Sequence, residues 1–349
     1  MRRVPTNPAV GAELVPLFAR QLELCRVTPT ETVLGFTNTM TNPAYAAALL
    51  GACGVIGADY FQITVPSGDG WMNSRAVVDA WRASDLVVGM MASTDAGWLY
   101  SDAHNEALDA GTRTLMIEEP EDVLRRLFPS AEVRRRSIAG QARMAGAASI
   151  RIVSDAGTDL TLSKAGRSAV AQYGVSDVPG RWDHWPSGLV GTAPLEDSAN
   201  GTLVIDAGDC LLSLGRYAGA PIRMTLHDGS VTAIEGGADA RLLRDFFEGA
   251  RDPKAYGVSH IGWGTDDRVR WNTLGLRFWE GGGVMDVECL YGNMTIAFGS
   301  NFFRSMGGAN HSRFHLDLPT RNHSFWLDGV QVIDGGRFVE SELGGDAAA

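Results

Sequence analysis

Cysteine is scarce in this chain of 349 residues. Only Cys25, Cys53, Cys210 and Cys289 occur, all far apart. No Cys-x-x-Cys pair exists, so neither a structural zinc ribbon nor a thioredoxin-type redox pair is supported. A chain of this length needs no disulfide framework to build a core, and a reducing cytoplasm is the expected setting. Long hydrophobic runs are missing too. Nothing approaches eighteen uninterrupted apolar residues, so no membrane span is expected. The opening stretch MRRVPTNPAVGAELVP is basic but has no continuous apolar centre, so it is not read as a signal peptide. Basic charge is in deficit: 30 Lys and Arg against 41 Asp and Glu leave a net charge of −11. Such a surface repels phosphate backbones and argues against a nucleic-acid partner.

The loops that mark nucleotide and serine chemistry are absent as well. GACGVIG, residues 51–57, spaces its glycines three apart rather than as GxGxxG, and it follows a helical pattern rather than a strand. No P-loop and no GxSxG elbow occurs. What is present is a globular balance of 45% hydrophobic and 20% charged residues, with no signature of disorder.

Up to residue 148 short apolar runs alternate with amphipathic stretches, the rhythm of an α/β layer. ETVLGF, DYFQITV, DLVVGMM and RTLMIEE read as strands of a mostly parallel sheet. LVPLFARQLELCR, NPAYAAALLGACG, SRAVVDAWRAS and SDAHNEALDAG read as its flanking helices, the last capped by Ser101 and stopped by Gly111. EPEDVLRRLF and SAEVRRRSIAGQARMAGA follow as helices, and the run Arg134 to Arg136 is read as a solvated face. After residue 148 the texture changes. SIRIVSDAGTDLTLS and IRMTLHDGSVTAIEGG are hairpins, further strands follow, and one helix, ADARLLRDFFEGA, interrupts them. The expected architecture is an α/β domain over 1–148, an α+β, β-rich domain over 149–340, and a flexible tail over 341–349.

Chemistry concentrates in the second half. In HSRFHLDLP, residues 311–319, Phe314, Leu316 and Leu318 repeat with the period of a half-buried strand, so His315 and Asp317 share its opposite face. A wet strand face is the commoner reading of that pattern. The sharper one is that an imidazole and a carboxylate two residues apart grip one metal ion. His260, in YGVSHIGWG, is the histidine least easily explained as solvent-facing, and two imidazoles with one carboxylate suit non-haem Fe(II) and some catalytic zinc sites. His227, beside an Asp-Gly turn, and His104, in a polar helix, are read as exposed. Residues 173–206 pack Arg181, Trp182, Asp183, His184, Trp185 and Ser187 between turn formers. Either this stretch binds something flat, or it is an Ω-loop whose charged groups satisfy one another.

The blocks PGRWDHWPSG and EDSANGTLVIDAGD, then YGVSHIGWG, then FHLDLPTRN, resemble the 2,5-dihydroxypyridine 5,6-dioxygenases of bacterial nicotinate-type catabolism. These iron enzymes share a fold ancestry with aminopeptidase T-like metallopeptidases. The likeness runs from about residue 14 to about 338 and is dense from residue 173 onward. It implies a mononuclear Fe(II) held by His260, His315 and Asp317, O2 and an N-heteroaromatic substrate, N-formylmaleamate as product, and a homo-oligomer. It also implies catalytic roles for Tyr100, Arg181, Asp183 and His184, and substrate contacts from Gln172, Trp185 and Ser187. Two positions depart from the family. Tyr100 stands where the family has histidine, and Gln172 where it has glutamate. A phenol of pKa about 10 replaces a base that titrates near neutrality, and an amide replaces a carboxylate. Tyr100 and Gln172 are expected on one side of the site and the ligands on the other. Two further readings stay open: a metallohydrolase with Glu196 or Glu288 as general base, and a non-catalytic binder.

Overall fold

The computed structural model describes residues 8–344 except 69, 73, 92 and 274–283. Residues 345–349 of the expected tail therefore lie outside the described residues, while Leu343 is buried. Two compact units cluster separately. Of the described residues, the first takes those up to Pro129 together with Tyr173–Ser187, and the second takes Ser130–Gln172 and those from Gly188 onward. Among the described residues no helix is long and apolar enough to cross a membrane.

The first unit alternates helix and strand as its sequence predicts. In order come α1 (Pro8–Leu24), β1 (Thr32–Asn38), α2 (Pro43–Ile56), β2 (Asp59–Val65), α3 (Arg75–Arg82) and β3 (Leu86–Met90). A 3-10 segment, Ser93–Tyr100, then leads to α4 (Asp102–Asp109), β4 (Arg113–Met116) and α5 (Glu121–Arg126). The caps are local chemistry. Asn42 Oδ1 accepts from Ala44 N at 3.0 Å, with Pro43 opening α2, and Gly57 ends that helix at φ 88°, a left-handed conformation that glycine adopts without strain. β3 is buried throughout, as a central parallel strand must be.

The second unit opens with α6 (Ala131–Ala145), the hairpin β5 (Ser149–Ser154) and β6 (Asp159–Ser163), and β7 (Ala169–Gln172). Within Tyr173–Ser187 lies β8 (Trp182–His184), which pairs in parallel with β4. Read from sequence either as a binder of something flat or as an Ω-loop, this segment contributes the last strand of the parallel sheet, whose order is β2-β1-β3-β4-β8. The chain continues through β9 (Leu189–Thr192), β10 (Asn200–Ile205), β11 (Cys210–Leu211), β12 (Arg216–Tyr217), β13 (Ile222–His227) and β14 (Ser230–Gly236). Then come α7 (Ala238–Gly249), β15 (Val258–Gly264), β16 (Met294–Gly299) and β17 (His315–Thr320). The last strands are β18 (His323–Leu327), β19 (Val330–Asp334) and β20 (Arg337–Phe338).

Apart from β8, these strands build two large antiparallel sheets, β14-β13-β10-β6-β5-β18-β19-β20 and β17-β16-β15-β9-β7, and β11 pairs with β12 in a small one of its own. One apolar cluster joins them. Ile152, Leu160, Leu203 and Phe325 come from the larger sheet, and Ile261, Trp263, Ile296, Leu316 and Leu318 from the smaller. Trp263 meets Phe325 edge to face at 5.1 Å. Each such side chain contributes about 2 kcal/mol by leaving water, so the inner face of the smaller sheet is firmly specified. Its other face is left for chemistry.

Candidate functional site

On β17, Leu316 and Leu318 point into the apolar cluster, so the alternation of the strand turns His315 and Asp317 the other way. His315 Nε2 lies 3.1 Å from Asp317 Oδ2. The third group, His260 on β15, is two strands away, and its Nε2 lies 3.3 Å from Asp317 Oδ1. Two local features let it arrive. Val258 pairs with Phe298 and Ile261 with Ile296, so Ser259 and His260 together oppose the single residue Ala297. This β-bulge lets Val258 and Ile261, three apart, both join the apolar cluster while His260 is aimed at the opposite face. On β16, the strand between, Ala297 stands directly across from Asp317 and Gly299 across from His315. Small residues there leave room for the rings to close over the middle strand. Gly299 has φ 98°, and a Cβ on it would fall 2.0 Å from the Phe314 carbonyl oxygen.

One ligand atom from each of His260, His315 and Asp317 lies within 4.8 Å of the others. The two imidazole rings stand 5.3 Å apart, centroid to centroid. Burial pushes the Asp317 carboxyl up, but His315 and His260 outweigh burial and hold it well below the usual carboxylate range. Asp317 Oδ1 is buried and accepts no hydrogen bond. Two nitrogens and a carboxylate with an unused oxygen, converging on one point, are the donor set a mononuclear metal site requires. The residues fit a divalent metal.

The approach to β17 is also held. Glu196 accepts from Ala309 N at 2.8 Å and from Asn301 Nδ2 at 3.0 Å, and pairs with Arg167. Ser312 Oγ donates to Asp252 at 2.6 Å. Glu196, a candidate general base for a hydrolase, is thus engaged in fastening the segment that leads to His315. Although burial acts against it, those donors keep its pKa below the ordinary value.

Gln172 ends β7, an edge of the same five-stranded sheet as the ligand strands, so the structure does not put it on a side of its own with Tyr100. It is buried, and its Nε2 has no hydrogen-bond partner. The first unit holds the rest. Asp183 is wholly buried: its Oδ2 accepts from Arg181 Nη2 at 2.6 Å and Tyr173 N at 3.0 Å, and its Oδ1 from His184 N at 2.8 Å. Burial raises its pKa and Arg181 opposes that rise. The Arg181 guanidinium also donates to the Val175 carbonyl and lies 3.8 Å over the Tyr173 ring. The charged groups of this segment satisfy one another, as in the Ω-loop alternative. Trp185 is packed edge-on against Phe18 and Phe128. Ser187 is buried with its Oγ unpartnered. Tyr100 is half-buried at the end of its 3-10 segment.

A model of the 2,5-dihydroxypyridine 5,6-dioxygenase family matches residues 13–340. A curated 2,5-dihydroxypyridine 5,6-dioxygenase of Pseudomonas putida is 35% identical over 96% of this chain and 98% of its own. The chain belongs to this family. A solved structure of the Pseudomonas putida dioxygenase superposes with a TM-score of 0.89 at 34% identity, covering 95% of this chain and 99% of that one. Wild-type AmpT from Thermus thermophilus shares the fold alone: TM-score 0.58, 14% identity, 94% of this chain and 100% of that one.

Within the family fold two sequence expectations are overturned. His104 is not exposed but wholly buried, ringed by Trp81, Trp98 and Trp182. Its Nδ1 donates to the Leu99 carbonyl at 2.9 Å, and its Nε2 lies 2.9 Å from Thr114 Oγ1. Burial lowers its pKa to about 4. The polar helix hid this because the tryptophans that cover it come from elsewhere in the chain. Arg136 likewise leaves the solvated run. It pairs with Glu132 and Asp267, donates to the Thr265 carbonyl and covers the Tyr291 ring. His227 is exposed, as expected. One acidic residue was not singled out: Glu118, just past β4 and 4.0 Å from His184. Its signal was available, since acidic residues directly after a buried parallel strand stand where open α/β sheets bind ligands.

Proposed function

We propose that this protein is an Fe(II)-dependent dioxygenase that cleaves the ring of 2,5-dihydroxypyridine, or a close aromatic analogue, with O2. Membership of the family supports the reaction class, and the convergence of His260, His315 and Asp317 carries the assignment of the metal. His260, His315 and Asp317 would hold an Fe(II) ion, and the bound ion would supply the redox chemistry by which O2 and an electron-rich ring react.

The chain's own residues do the rest. Gln172 Nε2 and Ser187 Oγ, buried donors without partners, are assigned to polar atoms of the ring, since a donor left unmatched costs about 1–3 kcal/mol. His184 is assigned to proton transfer. Tyr100, a phenol, donates a hydrogen bond to a ring oxygen in place of a general base. Arg181, Asp183 and Trp185 are assigned to holding the segment that carries His184. Four free, buried cysteines support a cytoplasmic setting, and family resemblance supports a homo-oligomer, which light scattering would measure.

The test is oxygen uptake by protein loaded anaerobically with Fe(II) and then given 2,5-dihydroxypyridine. Rapid stoichiometric uptake is expected. Iron bound at one per chain without uptake would mean a different ring, and turnover with Zn(II) in the absence of O2 would overturn the oxygenase in favour of a hydrolase.

A further inference from the structure

Among the described residues the parallel sheet has one long edge left open. β2 lies outermost and pairs with β1 alone, in unbroken parallel register from Asp59 to Val65. The other sheet edges carry the devices by which proteins keep open strands apart. β8, β11, β12 and β20 are two or three residues long, β7 is four, β17 carries Pro319, and β14 meets β13 through a bulge and packs against α7. β2 has none of these. Its seven residues, DYFQITV, include no proline, glycine or lysine, and Phe61 is 61% exposed.

α2, which packs beside β2, extends the open face. Its sequence, PAYAAALLGACGVI, contains no charged side chain. An outer stripe of Pro43, Ala47, Leu50 and Gly54 is exposed, with Leu50 at 55% and the adjoining Val55 at 68%. A helix that is apolar all round belongs in an interior. α1 is drawn away from this edge, since Phe18 packs on Trp185 and Gln21 donates to the Gly174 carbonyl, both in the segment that carries β8 at the opposite edge of the sheet. In α2 and β2 together the only charge is Asp59.

We infer that this face binds a second copy of the chain, the two β2 strands running antiparallel about a two-fold axis at Gln62 and the two α2 helices facing each other beside them. The inference rests on the homo-oligomer reading above and gives it an interface. An isologous contact needs a surface complementary to itself. Directly opposed residues of an antiparallel pair share a face, and an axis at Gln62 pairs all of β2: Phe61 meets Ile63 of the second copy, Tyr60 meets Thr64, and Asp59 meets Val65. Aromatic and β-branched side chains oppose each other, and like charges do not. A centre at any other residue leaves part of the strand unpaired. The net charge of −11 makes two copies repel, and this uncharged face is where they repel least. A foreign strand gains the same backbone hydrogen bonds but not this two-fold match.

The test uses the full chain in light scattering at micromolar concentration. The wild type is expected as an assembly of even copy number. Phe61→Glu, which brings two carboxylates to the axis, should halve its mass, and so should Leu50→Glu. Both positions are exposed, so far-ultraviolet circular dichroism should keep its wild-type form. Cysteine cross-linking reads the register independently. The Cα atoms of Gln62→Cys would stand about 5 Å apart across the axis, within reach of a disulfide, and those of Thr64→Cys about 14 Å apart. All four native cysteines are buried, so mild oxidation should join Gln62→Cys chains in pairs and leave Thr64→Cys chains single. A monomeric wild type overturns the homo-oligomer reading and this inference together. An assembly that keeps its mass in Phe61→Glu, or Gln62→Cys chains that fail to join, overturns the interface and leaves the homo-oligomer standing.

Discussion

At the scale of single residues, Ala297 decides whether the three candidate ligands can meet. It lies across β16 from Asp317 and opposite the bulge that carries His260, and it is buried without belonging to the apolar cluster. Any larger side chain here occupies the space in which the imidazole of His260 approaches the carboxylate. Ala297→Leu should therefore lower metal affinity at least tenfold while far-ultraviolet circular dichroism stays that of the wild type. The check is metal content by mass spectrometry after equilibration with limiting Fe(II), with His315→Ala as the reference for complete loss. A variant with wild-type iron content would show that the ring does not pass over residue 297. The same residues show what the sequence does and does not reveal. His315 and Asp317 are legible because alternation alone puts them on one face. His260 is not, because a bulge of two residues against one leaves no mark in the hydrophobic pattern and becomes visible only when the partner strand is known.

At the scale of elements, most helices and strands follow from period and cap, and the misreadings arise where an element is completed by a distant partner. β8 is three residues of strand that no pattern announces. It exists because β4 offers it a free parallel edge. α6 was legible as a helix, but one of its arginines was placed on the wrong side. Arg136 is buried because Asp267 and the Thr265 carbonyl, more than a hundred residues later, complete the partnership that Glu132 begins on the helix itself. Its two carboxylate partners are half-exposed and can be met by water once the guanidinium is gone, but the buried Thr265 carbonyl loses a donor and the Tyr291 ring loses its cover. Arg136→Ala should cost about 1–3 kcal/mol, read as a fall in the urea midpoint, whereas Arg135→Ala on the exposed face should cost less than about 1 kcal/mol. Equal losses for the two would mean that the burial of Arg136 carries no energetic weight.

At the scale of the whole molecule, each compact unit contains a buried histidine held neutral, His104 in the first and His323 in the second. Burial lowers both pKa values from 6.5 to about 4. For His323 the Arg321 carbonyl, which takes its Nδ1–H at 2.9 Å, works weakly against that shift. A pKa that falls on folding means that the unfolded chain binds more protons between about pH 4 and 6.5, so stability rises with pH across that window and is lost on acidification. Between pH 7.5 and 5 each histidine should cost about 2 kcal/mol. Asp209 works in the opposite sense. Burial raises its pKa from 3.8 to about 6 despite hydrogen bonds from Asp206 N and Arg321 N, so the folded state binds the extra proton, and acidification over the same interval returns about 1 kcal/mol. The two histidines outweigh the one aspartate, and both units are expected to weaken together between pH 6.5 and 5. Urea unfolding at pH 7.5 and 5 measures this directly. His104→Gln removes one titrating group, so whatever the variant loses in packing, the difference between its two stabilities should shrink by about 2 kcal/mol relative to the wild type. An unchanged difference would mean that His104 binds its proton as readily folded as unfolded, and the tryptophans around it would then have to admit water.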